Sequence, residues 1–184
     1  MTKPKIPNQK QQYQELDRRL QKYILMVQQI YKDLALEASK LALRTGYDPE
    51  AKKIFRFKDY PQTKAGIDNL LRNFVEDMQV LIYQGTSKEW EQSNEIQSLL
   101  ADKVLQSYVG EIDRKKYKMY YQTNSDALKA FQQRRDNGMN LSQRLWNQSQ
   151  ELKEELEETI STAIQKGYSA ITLSKKVSKY MNNF

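Results

Sequence analysis

Three observations in this sequence predict an all-α fold. Apolar residues recur every three or four positions along most of the chain, and capping residues and glycines fall at the ends of those stretches. No Asn-Gly turn joining two alternating strands is read from it. The expected architecture is an elongated bundle of about five to six helices, with a long heptad-patterned helix at the front.

The first helix is expected from Asn8 to Arg44. Tyr13, Leu16, Leu20, Tyr23, Val27, Ile30 and Leu34 alternate three and four apart, and the pattern runs on through Ala38 and Leu41. Asn8 after Pro7 suits an N-cap, and Gly46 lies just past the end. A helix of this length, roughly 50–55 Å, must lay its seam on other helices or on a second copy of the chain. Residues 47–61 break the pattern, and the aromatics of Ile54-Phe55-Arg56-Phe57 are expected to plug the end of the bundle.

Beyond Pro61 one series runs Ile67, Leu70, Leu71, Phe74, Met78, Leu81, Ile82. A second, Trp90, Ile96, Leu100, Val104, Tyr108, reaches Gly110. Gly85-Thr86-Ser87 separates them as a turn or as a kink within one helix, since a single internal Gly costs only about 1 kcal/mol. Residues 111–123 form a basic, aromatic connector. Asn124 or Ser125 then caps a short helix holding Ala127, Leu128 and Phe131, which stops near Gly138. Ser142 is expected to cap the next helix, whose stripe is Leu145, Trp146, Leu152, Leu156, Ile160 and Ile164, with Gly167 at its end. Ser169 caps a last helix with Ala170, Leu173 and Val177. The chain thus divides into a basic arm (1–7), a long-helix region (8–110), the connector (111–123) and a second helical region (124–184).

Composition narrows the function. The chain has no Cys and no His, which excludes disulfides, thiolate or imidazole metal sites, and Ser-His-Asp or Cys-His catalysis. No catalytic, cofactor-binding or metal-binding residue is assigned, and no cofactor is expected. Leu, Ile, Val and Phe make up only 41 of 184 residues, so the core must be thin. No run of about 18 apolar residues spans a membrane, and no apolar stretch follows the first residues as in a secretory signal. The expectation is a protein working inside the cell or in something assembled there.

Net charge is +7, with +6 in residues 1–60 and +3 in 111–138. The densest patch is Arg114-Lys115-Lys116-Tyr117-Lys118-Met119-Tyr120-Tyr121. Arg114, Lys115, Lys116, Tyr117, Lys118 and Tyr121 are the nucleic-acid candidates, because cations neutralise phosphates and aromatic rings stack on bases. The competing reading is a solvated connector. Lys3, Lys5 and Lys10 form either an arm that orders on a partner or a frayed terminus. Glu151, Glu154, Glu155, Glu157 and Glu158 read as a solvated helix face rather than a Mg²⁺ site, and Trp90 and Trp146 as core anchors.

Phe131-Gln132-Gln133-Arg134-Arg135-Asp136-Asn137-Gly138-Met139-Asn140-Leu141-Ser142-Gln143-Arg144-Leu145-Trp146 is followed by Gly167-Tyr168-Ser169, Leu173-Ser174 and Val177. This block resembles the tailed-phage head morphogenesis family, the Mu-F-like minor head proteins, over about residues 124–184. Trp90, Ser93 and Asn94 also look like a W-x-x-S-N step of prophage relatives. The motif residues that carry the resemblance are Phe131, Gly138, Leu141, Ser142, Arg144, Trp146, Gly167, Ser169, Leu173 and Ser174. The resemblance implies a non-enzymatic minor capsid protein in a virion or host cytoplasm, active in head assembly and DNA packaging or delivery near the portal. Its implied partners are portal, scaffold or capsid proteins. The residues themselves add non-specific contact with double-stranded DNA through the basic patch and a homo-oligomer through the first helix, as alternatives to a solvated connector and to pairing within the chain. No membrane contact is expected. Members usually extend beyond the second motif, so a chain stopping at Phe184 is expected to be an N-terminal region or a shortened relative. The alternative class is a basic helical nucleic-acid-binding protein of a mobile element. A carboxylate enzyme is a distant third.

Overall fold

The computed structural model describes residues 8–47, 54–110, 112–169, 171, 172, 175 and 176. Among these the fold is all-α, with four α-helices: α1 (Gln9–Leu43), α2 (Pro61–Val109), α3 (Ser125–Gln132) and α4 (Leu141–Gln165); the last helix expected after Ser169 falls largely outside the described residues. Two 3-10 turns, Phe57–Asp59 and Lys118–Tyr120, interrupt the connections.

Local chemistry sets the ends. Asn8 Oδ1 accepts the Gln11 N–H at 2.9 Å and Gln11 Oε1 accepts the Asn8 N–H at 3.2 Å, a capping box that starts α1 where the sequence places it. Asn124 Oδ1 accepts the Ala127 N–H and starts α3. Helix α4 is capped by Asn140 through a second capping box with Gln143, and not by Ser142, which lies one residue inside the helix. An amide oxygen with its reciprocal glutamine satisfies two free N–H groups where a lone serine satisfies one. At the other end Gly167 has φ +69°, its N–H donates to Ile164 O, and the Tyr168 N–H donates to Ala163 O, a Schellman stop. Ser169 Oγ then accepts the Thr172 N–H at 3.3 Å, as expected of a cap.

The backbone decides one open sequence reading and corrects another. Helix α2 runs unbroken through Gly85, so the two apolar series belong to one 49-residue helix. Helix α3 ends at Gln132 rather than near Gly138, and an Asn-Gly turn follows. Asn137 (φ 49°) and Gly138 (φ 78°) form the centre of that turn, with Asp136 and Met139 exchanging both backbone hydrogen bonds at 2.9 and 3.0 Å. This turn closes a single bridge and no strand extends from it among the described residues, in keeping with the lack of alternating strands around it in the sequence.

The chain forms two compact units, each built from two separate segments: Met1–Tyr23 with Leu81–Arg135, and Ile24–Val80 with Asp136–Phe184. The second unit holds every fully buried apolar side chain among the described residues. Helix α1 contributes Leu34, Ala35, Ala38 and Ala42, small residues that bring its backbone close to its neighbours. Helix α2 contributes Ile67, Leu71, Phe74, Val75 and Met78, and α4 contributes Leu145, Leu152, Leu156, Ile160, Ala163 and Ile164. Phe55 and Phe57, each 1 % exposed, plug this core as expected, their rings edge to face at 5.7 Å. Buried Ser39 and Ser149 donate to the carbonyls of Ala35 and Trp146 within their own helices, so neither of these two hydroxyls is left unpaired.

Along the heptad seam of α1 the described chain covers Leu34 but leaves Tyr13 (59 %) and Leu20 (46 %) exposed, so its front half packs into no core among the described residues. Trp146 is likewise no core anchor, at 41 % exposed. The buried line of α4 runs Leu145, Ser149, Leu152, Leu156, and Trp146 sits about 100° round the helix from Leu145.

In the first unit the pairing of α1 with α2 rests on polar and close-contact terms. Arg19 grips Glu89 through two nitrogens at 2.8 and 2.9 Å. Gly85 lets the Tyr23 ring approach so closely that an added Cβ would lie 3.2 Å from Tyr23 Cε1. Gln132 Nε2 of α3 lies 3.0–3.2 Å from Tyr83 O, Thr86 Oγ1 and Ser87 Oγ of α2.

Two stability measurements follow. Ile160→Ala, at a site with no exposed surface, is expected to cost about 2–5 kcal/mol in urea unfolding, while Trp146→Ala costs under about 2 kcal/mol, since its ring loses only part of a solvent shield. Gly85→Ala is expected to stabilise by about 1 kcal/mol when Tyr23 is also changed to Ala, and by less with Tyr23 intact. Equal effects in the two backgrounds would show that the ring does not need the glycine.

Candidate functional site

The basic connector belongs to the first unit, where Asp102 of α2 organises it. The two oxygens of Asp102 take different partners: the Arg114 guanidinium donates to Oδ2 at 2.6 Å and the Tyr121 hydroxyl donates to Oδ1 at 2.6 Å. The Arg114 guanidinium also lies over the Tyr121 ring, 5.0 Å from its centre. Both ends of the basic run are thereby tied to one carboxylate. Between them Asp113 Oδ1 accepts the N–H groups of Lys115 (2.9 Å) and Lys116 (3.4 Å), the Tyr117 N–H donates to Asp113 O, and the Tyr120 and Tyr121 N–H groups close the 3-10 turn.

The six nucleic-acid candidates therefore divide by role. Arg114 and Tyr121 are spent on Asp102. Tyr117 is half-buried under Lys116, whose ammonium is 5.8 Å from the ring centre. Lys115, Lys116 and Lys118 are exposed and have no ion-pair partner among the described residues. Met119 (75 %) and Tyr120 (55 %) stand out beside them. The sequence singles out the cations and rings. It carries no sign that Asp102, 12 residues before Arg114, is the residue that arranges them.

Electrostatics reinforces the arrangement. The Tyr121 hydrogen bond above all, joined by the hydrogen bond and charge of Arg114, holds the Asp102 carboxyl below its ordinary value against the opposing effect of burial. The same hydrogen bond, then burial, pushes the Tyr121 phenol up. A neighbouring groove of about 480 Å³ is lined by Glu91, Asn94, Glu95, Asp102, Arg114 and Thr123. With three carboxylates against one guanidinium, that groove repels anions.

The motif residues have structural local roles. The Trp90 carbonyl accepts from Asn94 Nδ2 at 2.8 Å, and Ser93 is exposed. Phe131, 42 % exposed, lies beneath the Arg134 guanidinium at 4.3 Å. Leu141 opens α4, and Arg144 donates to Asp136 at 3.2 Å across the Asn-Gly turn. Leu173 and Ser174, like Ala170 and Val177, lie outside the described residues.

The glutamates of α4 do not act as one solvated face. Glu157 Oε2 accepts the Phe57 N–H at 2.8 Å and so holds the 3-10 turn on the core. Glu155 and Glu158 line an open cavity of about 240 Å³ with Thr162, Lys166, Tyr168 and Lys176. The Lys176 ammonium, 4.0 Å from the Tyr168 ring centre, pulls that phenol below its ordinary value. Among the described residues no group of acidic side chains is arranged to hold a metal ion, and no helix is long and apolar enough to cross a membrane. No protein-family model matches the chain, and no curated protein or solved structure is significantly similar to it.

The Asp102 arrangement has a pH signature. A carboxyl lowered in the fold adds stability that is complete above the ordinary carboxylate value of about 3.9 and is lost as pH falls through the lowered value. Carbon-detected NMR titration of Asp102 is expected to show a midpoint below that of exposed Asp residues, and Tyr121→Phe is expected to move it up. An unmoved midpoint would show that the hydroxyl does not hold the carboxylate.

Proposed function

We propose that this chain is a tailed-phage or prophage minor head protein, or its helical N-terminal region, working as a non-enzymatic assembly module with portal, scaffold or capsid proteins as partners. The observation that carries this reading is the motif block from Phe131 to Val177, with several fixed positions agreeing across nearly 50 residues. The local geometry supports it at two motif positions, the αL stop at Gly167 and the following cap at Ser169, while the helix start falls to Asn140 rather than to the motif's Ser142. The exposure of Trp146 suits an interaction module, since a large ring on a helix surface is available to a partner. The reading places the protein in the virion or the host cytoplasm and assigns it no reaction.

The test is assembly. After induction of the encoding prophage, the protein is expected to co-sediment with portal-containing head particles. Trp146→Ala is expected to keep its helical circular dichroism while its share in those particles falls at least tenfold. A protein absent from every head fraction would end this reading.

A further inference from the structure

We infer that the connector loop Asp113–Tyr121 is a pre-ordered platform on which Lys115, Lys116 and Lys118 engage the phosphate backbone of duplex DNA. The inference does not rest on the head-protein reading. Two independent observations carry it.

The first is geometric. A flexible lysine-rich segment must be ordered when it binds, which weakens it. Here that ordering is already present: Asp102 ties Arg114 and Tyr121, and Asp113 ties the amides of Lys115 and Lys116. Three lysines within four residues are then exposed with no carboxylate in ion-pair contact among the described residues. Phosphate binding asks only for such point charges, without shaped pockets or base recognition.

The second is the distribution of charge. The segments of the first unit carry 15 basic and 9 acidic residues, a net of +6, while those of the second carry 15 and 14, a net of +1. Nearly all of the chain's positive excess thus sits in the unit that displays the loop, which favours attraction of a polyanion over distance. The groove holding Glu91, Glu95 and Asp102 is closed to phosphate by its own charge, so the contact is made by the outward lysines and not by the groove. Of the three rings in the loop, Tyr121 is bonded to Asp102 beneath Arg114 and Tyr117 is half-buried beside Lys116, which leaves Tyr120 alone exposed and favours the duplex backbone over a run of unstacked bases.

The experiment is the salt dependence of binding to a 30-base-pair duplex of mixed sequence, measured by fluorescence anisotropy with the full chain. Each phosphate contact contributes a slope of about 0.9 in log K against log salt. Lys115→Gln, Lys116→Gln and Lys118→Gln together are expected to lower the slope by about 2–3 with unchanged circular dichroism. A charge-matched control in the second unit, Lys32→Gln, Lys58→Gln and Lys175→Gln, is expected to leave the slope within about 0.5 of the parent, all three positions being exposed. Binding is expected to be equal for unrelated duplex sequences. No duplex binding at low salt, an equal loss of slope in the control, or a loop variant that binds DNA normally but loses a protein partner would each overturn the inference.

Discussion

The short supply of apolar side chains constrains everything else in this chain. With few Leu, Ile, Val and Phe and wide polar helix faces, there is material for one dry cluster, and it is assembled from α1, α2, α4 and the Phe55–Phe57 plug in the second unit. Ile67, Leu71, Leu156 and Ile160 are fully enclosed there, and Ala35, Ala38 and Ala42 set how closely α1 approaches. The polar groups trapped at its edge are answered individually: Ser39 and Ser149 bond back to their own helices, and Glu157 meets the Phe57 amide.

The first unit is held differently because the apolar material runs out. None of its described residues is fully buried, and its ordering depends on directional contacts. Arg19 with Glu89, Tyr23 in the space left by Gly85, Gln132 across Tyr83, Thr86 and Ser87, and Asp102 with Arg114 and Tyr121 each fix one approach. Contacts of this kind are worth less per pair than burial and depend on pH and salt. They also leave large side chains such as Tyr108, Met119 and Tyr120 in water. A unit so built is suited to work on its surface, and the proposed assembly and DNA-contacting roles both draw on that property.

What the sequence determined by itself is local: the all-α class, the bounds of α1, the Asn124 cap, the stop at Gly167, the Ser169 cap and the burial of Phe55 and Phe57. These depend on a few neighbouring residues, whose capping oxygens, glycine freedom and helical spacing act within a turn or two. The candidate cations were legible for the same reason, as a dense run. Even here Asn140 outcompeted Ser142, since the reciprocal partner Gln143 lay where a capping box needs it. Only the tertiary structure decided which apolar faces are covered, because several helices compete for too little core. Leu34 is buried and Leu20 is not, although both sit on the same heptad line, and Trp146 is left outside by its angle on α4. The roles of Asp102, Gly85 and Glu157 were equally hidden, since each is defined by a partner 19, 62 or 100 residues away that no local pattern encodes.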